Sequence, residues 1–309
     1  MFSILIPTWN NLPYLKLCVE SIRRHTSIEH EILVHVNEGT DGTLDWVREQ
    51  GIRHTWSRGN VGVCLALNDV ARLATHDWIV FLNDDMSCTP GWDRAFADAI
   101  AKIGDAPAYL SAQLIEPTDT GNDQIVVGAY GTGPENFDEP GMLRFAAGLT
   151  TQDRQGVALQ PMVVSRRLWH LVGGYSIEFG PGMSSDDDFT MKLWLVGCRD
   201  FRVVGASRIY HFGMRSTGRV RRNKGGREFL MKWGMLQREF THEYLRQTAK
   251  PGAHALPNVP RASFKSRLKR WLYSRKRYPF EDLEGWEANL PGLLIHDSSR
   301  ESHHDAPQR

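Results

Sequence analysis

The sequence predicts an α/β fold with one mostly parallel sheet flanked by helices. Over the first hundred residues, short apolar segments alternate with segments whose apolar residues recur at helical spacing. Such alternation is typical of parallel strands joined by right-handed helical crossovers. Polar clusters follow three of the predicted strands, in the stretches PTWNN, NEGTDGT and NDDM. Because ligands bind outside the carboxyl ends of parallel strands, we expect these clusters to line one crevice.

The N-terminal elements follow from apolar spacing and from turn residues. Four strands are predicted in FSILIPTW, EILVHVNE, IRHTWS and DWIVFLND. Helices are predicted in LPYLKLCVESIRRHT, TLDWVREQ and NVGVCLALNDVARLA. The first helix carries Leu12, Leu15, Val19 and Ile22 on one side, and GTDGT forms the turn before the second. Strands and helices therefore alternate without a break in this part of the chain.

The later elements are predicted to be less regular at first. The Gly- and Pro-containing stretches DAPAYLSAQLIEPTDTGN and IVVGAYGTGPENFDEPG are expected to form strands and loops that flank the site. ALQPMVVSRRLWHLVGGY reads as a strand followed by a helix, SSDDDFTMKLWLVG as a helix with Ser184 or Ser185 as its N-cap, and FRVVGASRIYHFG as a strand. A packing helix is predicted in REFLMKWGMLQREFTHEYLRQ, a linker in PGAHALPNVP, a basic amphipathic helix in RASFKSRLKRWLYSRKR and a disordered tail after it.

The composition is that of a soluble globular protein. The 309 residues are 41% hydrophobic and 24% charged, and they suffice for one large domain or a domain with an appendage. No apolar run approaches the length of a bilayer span, and the N-terminus reads as a strand and not as a signal peptide. The four scattered cysteines argue against a zinc site or a disulfide scaffold and suit a reducing cytosol.

The charge is unevenly distributed along the chain, although its net value is only +1. Residues 215–278 contain 18 Lys and Arg but only 3 Asp and Glu, a local charge of +15. The parts before and after this basic block are acidic. Such a block predicts an anionic partner, against the simpler interpretation of a solvated Arg-rich helix.

Two acidic clusters carry the candidate chemistry. Asn83, Asp84 and Asp85 follow a buried strand, where one turn residue would suffice and two carboxylates suit a divalent cation. Asp186, Asp187 and Asp188 begin a helix, where one or two acids would stabilise the dipole and a third raises a carboxyl pKa toward that of a general base. His211 ends the next strand and is a candidate metal ligand or a structural residue.

Several common motifs are absent from the sequence. It contains no GxxxxGK[ST] loop, no GxGxxG after the first strand, and neither HExxH nor GxSxG. The sheet is therefore expected to hold a nucleotide by other means.

Taken together, the motifs resemble an inverting family 2 glycosyltransferase with the GT-A fold, a single Rossmann-like, mostly parallel sheet. The resemblance covers about residues 1–235. It rests on ILIPTWNN, EILVHVNEGTDGT, NVGVCLALN, IVFLNDD, VSRRLWHLVGGYSIEFG, SSDDDFTMKLWLVG and IYHFG in this order.

The resemblance implies a role for each matching residue. Asp186 would be the catalytic base, with Asp187 as the alternative. Asp85 would ligate Mn²⁺ or Mg²⁺, with Asn83 beside it and His211 as a further ligand. The residues implied in nucleotide-sugar binding are Pro7, Thr8, Asn10, Asn37, Glu38, Asn60, Gly62, Asn68 and Asp84. The basic residues expected to form a lid over the diphosphate are Arg215, Arg219, Arg221, Arg222 and Lys224. Asn37 and Ser185 depart from the family, which usually has a base-binding Asp and a Glu at these positions.

The predicted domain organisation follows from these assignments. Residues 1–215 form the GT-A catalytic domain, with a nucleotide-sugar half at about 1–100 and an acceptor half at about 101–215. Residues 216–250 form the basic lid and packing helix. Residues 251–296 form the linker and basic amphipathic extension, and residues 297–309 form the tail. The enzyme is expected in the cytoplasm, with possible peripheral attachment to the inner face of the plasma membrane.

The donor and the acceptor stay open at this stage. The donor is expected to be a UDP-, dTDP- or GDP-sugar, and the acceptor a glycan or lipid-linked molecule of cell-surface or lipopolysaccharide synthesis. The basic block at 215–278 is expected to contact an anionic membrane or, as the alternative, DNA in an enzyme that glycosylates a modified base. A sugar nucleotidyltransferase and a non-catalytic nucleotide-binding module are the rival classes.

Overall fold

The computed structural model describes residues 1–122, 124–158, 160–213, 223–245 and 260–275, together with the backbone of residues 295–297. Its strands are β1 (Ser3–Trp9), β2 (Glu31–Asn37), β3 (Arg53–Ser57), β4 (Trp78–Phe81), β5 (Met86–Cys88), β6 (Ala108–Glu116), β7 (Ile125–Val127), β8 (Arg154–Gln155), β9 (Met162–Ser165), β10 (Asp200–His211) and β11 (Ile295–Asp297). Its helices are α1 (Leu12–His25), α2 (Thr43–Glu49), α3 (Gly62–Ala71), α4 (Trp92–Ile103), α5 (Glu139–Ala147), α6 (Arg166–Val172), α7 (Ser185–Leu195), α8 (Gly225–Trp233), α9 (Gln237–Glu243) and α10 (Phe264–Ser274).

One sheet organises the described part of the chain. Its strands lie in the order β11-β3-β2-β1-β4-β9-β6-β10-β5, with β7 beside β6 and β8 beside β10. Strands β3, β2, β1 and β4 are parallel neighbours, which confirms the predicted crossovers of the N-terminal half. The other half is mixed, because β9 runs antiparallel to both β4 and β6, and β5 runs antiparallel to β10.

Alternation along the strands builds a core on each face of the sheet. On one face, Leu5 and Phe81 pack with α3, α6 and α7. On the other face, Ile4 and Ile6 pack with α1, α2 and α4. Covered on both sides, the central strands leave their carboxyl ends as the polar edge of the sheet.

Three predicted elements differ from the structure. The single packing helix predicted after residue 226 is two helices, α8 and α9, because Gly234 adopts φ +75° and ends the first of them. The stretch IVVGAYGTGPENFDEPG is expected to form strands and loops, but its last residues begin the helix α5. The N-cap of α5, Asp138, accepts a hydrogen bond from the Gly141 amide. Asp297, the first residue of the predicted tail, is the last residue of β11, which pairs antiparallel with β3, and residues 298–309 lie outside the described residues.

Candidate active site

The acidic pair after β4 lies at the carboxyl edge of the sheet, next to the end of β1. The two strands are parallel neighbours, so the residues that follow them emerge on the same side. The hydroxyl of Thr8 donates to Asp84 Oδ2 at 2.7 Å. Asp84 is therefore anchored to the first strand, and the carboxylate of Asp85 lies beside it, almost fully buried.

His211 joins Asp85 from the last long strand. The pairing of β10 with β5 sets His211 opposite Met86, the residue after Asp85. Its Nε2 lies 3.3 Å from Asp85 Oδ1, and its Nδ1 lies 2.7 Å from Glu116 Oε1. Burial disfavours the charged ring, but the charges and hydrogen bonds of Asp85 and Glu116 prevail and raise the pKa of His211 to about 10.

This arrangement suits a cation that shares its coordination with a substrate. Asp85 offers a carboxylate, and His211 would offer Nε2 once a cation displaces the proton from it, while Glu116 holds the ring from behind, as carboxylates do for histidine ligands. Asn83 lies at the same place, with Nδ2 3.5 Å from His211 Nε2. Across the described ranges, no group of three His, Cys, Asp or Glu side chains can hold a metal ion. Mn²⁺ or Mg²⁺ held here would take further ligands from phosphate and water, as Mg²⁺ commonly does.

The turns after β1 and β2 are bound to each other. Asn10 Nδ2 donates to Glu38 Oε2 at 2.9 Å, and the Thr40 amide donates to Asn10 Oδ1 at 2.9 Å. Both Asn10 and Glu38 adopt positive φ, at 45° and 62°. Pro7 and Thr8 precede this turn in β1. These predicted nucleotide-binding residues therefore form one rigid rim of the crevice.

Asn37 lies beneath that rim. Its side chain accepts from the Val61 amide at 2.9 Å and donates to the Thr8 carbonyl at 3.3 Å, and the residue is only 3% exposed. Both polar atoms of the amide bind the protein itself, and a contact of Asn37 with the base stays a prediction. Asn60 also binds locally, because its Oδ1 accepts from the Gly62 amide at 2.9 Å.

A tight contact joins the start of α3 to the loop before α7. Gly62 has φ +75°, and a Cβ there would lie 2.8 Å from Pro181 Cα. The next amide, that of Val63, donates to the Pro181 carbonyl at 3.0 Å. Because α3 begins just after the carboxyl end of β3, this contact brings the first turn of α7 to the same edge as Asp85.

Asn68 holds a second part of the same connection. Its Nδ2 donates to the Tyr175 carbonyl at 2.7 Å, and its Oδ1 accepts from the Tyr175 amide at 2.8 Å. Both amide atoms hold the backbone of Tyr175, and the nucleotide-sugar role of Asn68 stays a prediction. The Tyr175 ring in turn meets the ring of Phe81, at the end of β4, edge-on at 6.1 Å between centroids.

Tyr175 delivers a hydrogen bond to Asp186. Its hydroxyl donates to Asp186 Oδ1 at 2.8 Å. Burial raises the pKa of Asp186, and hydrogen bonds from the side chains of Tyr175 and Gln160 oppose that rise by favouring the ionised carboxylate. Of the three adjacent acids, Asp186 alone keeps partial exposure. It is the carboxylate that a substrate hydroxyl can approach.

The other two acids point into the protein. Asp187 accepts a short hydrogen bond from Gln237 Nε2, and burial together with the charge of Asp186 raises its pKa to about 7. Asp188 is fully buried and accepts from Trp233 Nε1 and Lys232 Nζ, each at 2.8 Å. The cluster thus divides into one acid at the crevice and two that hold α8 and α9 against α7.

A comparison with known families bears on this geometry. Residues 3–124, which carry β1 to β6 and the acidic pair, match the family model described as Glycosyl transferase family 2. This N-terminal segment is similar to family 2 glycosyltransferases. The enzyme class predicted from the motifs, a glycosyltransferase, is thereby confirmed, and the nucleotidyltransferase and the non-catalytic module are set aside.

Two mycobacterial proteins with similar sequences are named as glycosyltransferases. A PGL/p-HBAD biosynthesis glycosyltransferase of Mycobacterium tuberculosis (strain ATCC 25177 / H37Ra) is 28% identical over 199 residues, 63% of this chain and 70% of the relative. The same figures hold for a PGL/p-HBAD biosynthesis glycosyltransferase of Mycobacterium bovis (strain BCG / Pasteur 1173P2).

Solved structures support the GT-A fold of the transferase. S. aureus TarS 1-349 superposes with a TM-score of 0.55 and 14% identity, covering 80% of this chain and 71% of that chain. The same TarS fragment in complex with UDP-GlcNAc gives a TM-score of 0.55 at 15% identity, covering 80% and 72%. At this level of identity the likeness concerns the fold.

The predicted diphosphate lid of the transferase is only partly described. Arg215, Arg219, Arg221 and Arg222 lie outside the described residues. Lys224 is described and lines a cavity of about 540 Å³. The other walls of this cavity come from the residues before α7, from the start of α8 and from Gln237 and Tyr273.

Several side chains of the site were not predicted from the sequence. Glu116 could have been found, since it ends the apolar strand AYLSAQLIE in the same way as the acidic pair ends β4. Tyr175, Gln160 and Gln237 carry no local signal, because their roles depend on contacts with acids 11 to 50 residues away.

Replacing Tyr175 with Phe is expected to move the acid limb of the pH–rate profile to higher pH. A carboxylate that acts as a base loses activity as the pH falls through its pKa. The Tyr175 hydroxyl favours ionised Asp186, so its removal raises that pKa and protonates the acid at a higher pH. The measurement is kcat/KM as a function of pH. Tyr210→Phe is the control, since the buried Tyr210 hydroxyl donates to the Gly131 carbonyl instead. An unmoved acid limb in Tyr175→Phe would separate Tyr175 from the reacting acid.

Within the described ranges, every helix is too short or too polar to cross a bilayer.

Proposed function

We propose that this transferase moves one sugar from a nucleoside diphosphate sugar to an acceptor hydroxyl, with inversion at the anomeric carbon. The proposal is carried by two acidic sites, one at the carboxyl edge of the sheet and the other linked to that edge by the contact of Gly62 with Pro181. Asp85 with His211 forms one site, and Asp186 with Tyr175 forms the other. The rim formed by the turns after β1 and β2 lies at the same edge of the sheet.

Asp186 acts as the general base in this mechanism. Its carboxylate takes the proton from the acceptor hydroxyl while the hydroxyl oxygen forms a bond to the anomeric carbon. The bond from that carbon to the diphosphate oxygen breaks, and the nucleoside diphosphate leaves with the bonding electron pair. Hydrogen bonds from Tyr175 and Gln160 favour the ionised form of Asp186, and the bond from Tyr175 orients its carboxylate for this step.

Asp85 and His211 serve the leaving group. They would hold Mn²⁺ or Mg²⁺, with Asn83 beside them, and such a cation neutralises the charge that develops on the departing diphosphate. Asp84 accepts a hydrogen bond from the Thr8 hydroxyl, and this bond fixes the turn that carries Asp85. Lys224 and the arginines predicted for the lid would add positive charge over the same diphosphate.

The proposed donor is a UDP-, dTDP- or GDP-sugar. The name of the superposed TarS complex includes UDP-GlcNAc, which supports a nucleotide sugar and puts UDP first among the bases to test. The side chain of Asn37 is hydrogen-bonded to the Val61 amide and the Thr8 carbonyl. Contacts to the base would therefore come from the rim residues Asn10 and Glu38.

The proposed acceptor is a glycan or a lipid-linked molecule in cell-surface or lipopolysaccharide synthesis, reached from the cytoplasm. The mycobacterial relatives are named for PGL/p-HBAD biosynthesis, which supports an acceptor other than DNA. The cavity between α7, α8 and α10 is the proposed acceptor site, because Ser184 in its wall precedes Asp186 by two residues.

A panel of nucleotide sugars tests this function. The full chain is incubated with UDP-, dTDP- and GDP-sugars, with Mn²⁺, with Mg²⁺ or with chelator, and release of the nucleoside diphosphate is measured. Binding is followed in parallel by the thermal shift. We expect the nucleoside diphosphate to be released from donors with one of the three bases, and only when the cation is present. Without an acceptor, this release would be a slow hydrolysis of the donor. If the thermal shift and the release of nucleoside diphosphate are the same with chelator as with Mn²⁺ or Mg²⁺, the cation role assigned to Asp85 is contradicted.

A further inference from the structure

We propose that α10 lies on the surface of an anionic lipid bilayer and attaches the transferase to it through the outward face of the helix. This attachment does not depend on the reaction or on the donor. It concerns residues 260–275, which are the described C-terminal part of the basic block.

The inner face of α10 is fastened to the rest of the protein. Ser266 is fully buried, donates to Glu239 and accepts from the Leu236 amide at 3.1 Å. Arg270 donates to the Met231 carbonyl at 3.1 Å. The Tyr273 ring lies 5.5 Å from the guanidinium of Arg227. The helix is therefore held in one orientation, with these residues on the side that meets α8 and α9.

The opposite face is apolar and exposed. Phe264 is 73% exposed, Trp271 48%, Leu272 47% and Leu268 45%. With about 100° of rotation per residue, these four side chains fall within an arc of about 100°. The arc is directed away from Ser266 and Tyr273. Four large apolar side chains exposed on one helical face form a patch that marks an interaction surface.

Basic side chains flank this arc. Lys265 and Lys269 lie on one flank and Arg267 on the other, while Arg275 lies over the Trp271 ring with its guanidinium carbon 3.7 Å from the ring centroid. The helix FKSRLKRWLYS contains no acidic residue. Apolar residues along the centre with cations along both sides are typical of helices that lie at a membrane surface. The cations would meet anionic headgroups while the apolar arc enters the acyl boundary.

The same face fits nucleic acid poorly. A protein surface that follows a phosphate backbone needs cations along its centre, with aromatic rings available to stack on bases. On α10 the arc itself is formed by four apolar side chains with Leu268 near its centre, and Lys265, Lys269 and Arg267 stand at its margins. We therefore infer a bilayer in preference to DNA.

Co-sedimentation with vesicles tests this proposal on the full chain. Vesicles of phosphatidylcholine with about 30% phosphatidylglycerol are compared with vesicles of phosphatidylcholine alone. The wild-type chain is expected to sediment with the anionic vesicles and much less with the neutral ones. The double variant Leu268→Glu/Leu272→Glu should lose at least about tenfold in partitioning, because two carboxylates would enter the apolar boundary.

A matched control and the opposing outcomes complete the experiment. Leu171→Glu changes a still more exposed leucine, 65% exposed on α6, and should sediment like the wild type. Nucleoside diphosphate release by the α10 double variant should equal that of the wild type, so the attachment and the catalytic proposal fail separately. Equal sedimentation of both variants would overturn the proposal, as would retention on duplex DNA without vesicle binding. Self-association through this face without vesicle binding would overturn it as well.

Discussion

Replacing Asp186 with Asn is expected to lower kcat by about 10²–10⁴-fold while donor affinity stays near its wild-type value. General-base catalysis contributes about this factor, and Asn preserves the shape of the side chain but cannot accept the acceptor proton. Asp186 is the one acid of its cluster with partial exposure, and it is held by Tyr175. The measurements are kcat with a donor identified from the nucleotide-sugar panel and donor binding by calorimetry.

Asp187→Asn distinguishes the two candidate bases. Asp187 is buried and bonded to Gln237, so its substitution should disturb the contact of α7 with α9 more than it disturbs proton transfer. We expect a smaller loss of kcat than for Asp186→Asn, together with a lower midpoint of urea unfolding. If Asp187→Asn abolishes turnover while Asp186→Asn retains it, Asp187 is the general base and Asp186 is not.

Replacing Asp85 with Asn is expected to remove the response of the enzyme to Mn²⁺ or Mg²⁺ and to lower kcat/KM by about 10²–10³-fold. Loss of one group that stabilises developing negative charge costs a factor of this size. The neutral amide is a poorer ligand for a hard cation than the carboxylate. The measurement is kcat/KM against cation concentration for the wild type and the variant.

Two further variants calibrate this result. Glu116→Gln should cost less, about 10–100-fold, because Glu116 orients His211 without contacting the substrate. Asp77→Asn is the control at the opposite end of β4, where the carboxylate is 94% exposed, and it should leave both activity and the cation response unchanged. A wild-type cation response in Asp85→Asn would remove Asp85 from the leaving-group site.

The three adjacent acids show how closely one sequence cluster can combine function and stability. Consecutive residues at the start of a helix point about 100° apart, so Asp186, Asp187 and Asp188 cannot face the same partner. Asp188 pairs with Lys232, which itself lies near the Phe179 and Trp233 rings. Lys232 and Trp233 therefore pack α8 against the side of α7 that carries Asp188.

The N-terminal fold was accessible from the sequence because its signals are local. Apolar spacing in β1, α1 and β2 reflects which side of a strand or helix meets the core, and neighbouring residues largely decide that. The break between α8 and α9 was missed, although Gly234 stands at it, because the aromatic residues on both sides continue a helical spacing. The helix α5 was missed because its cap, Asp138, lies in a stretch dominated by Gly and Pro.

The alternating sheet, the polar carboxyl edge and the two acidic clusters could be predicted from the residues alone, since these depend on periodicity and on residues that are neighbours in the chain. Long-range packing sets which acid of the second cluster keeps partial exposure, that Glu116 stands behind His211, and that Asn37 and Asn68 bind the protein's own backbone. Each of these outcomes joins groups between 20 and 110 residues apart or selects one direction around a helix. Such contacts are fixed by the packing of whole elements, which local spacing does not encode.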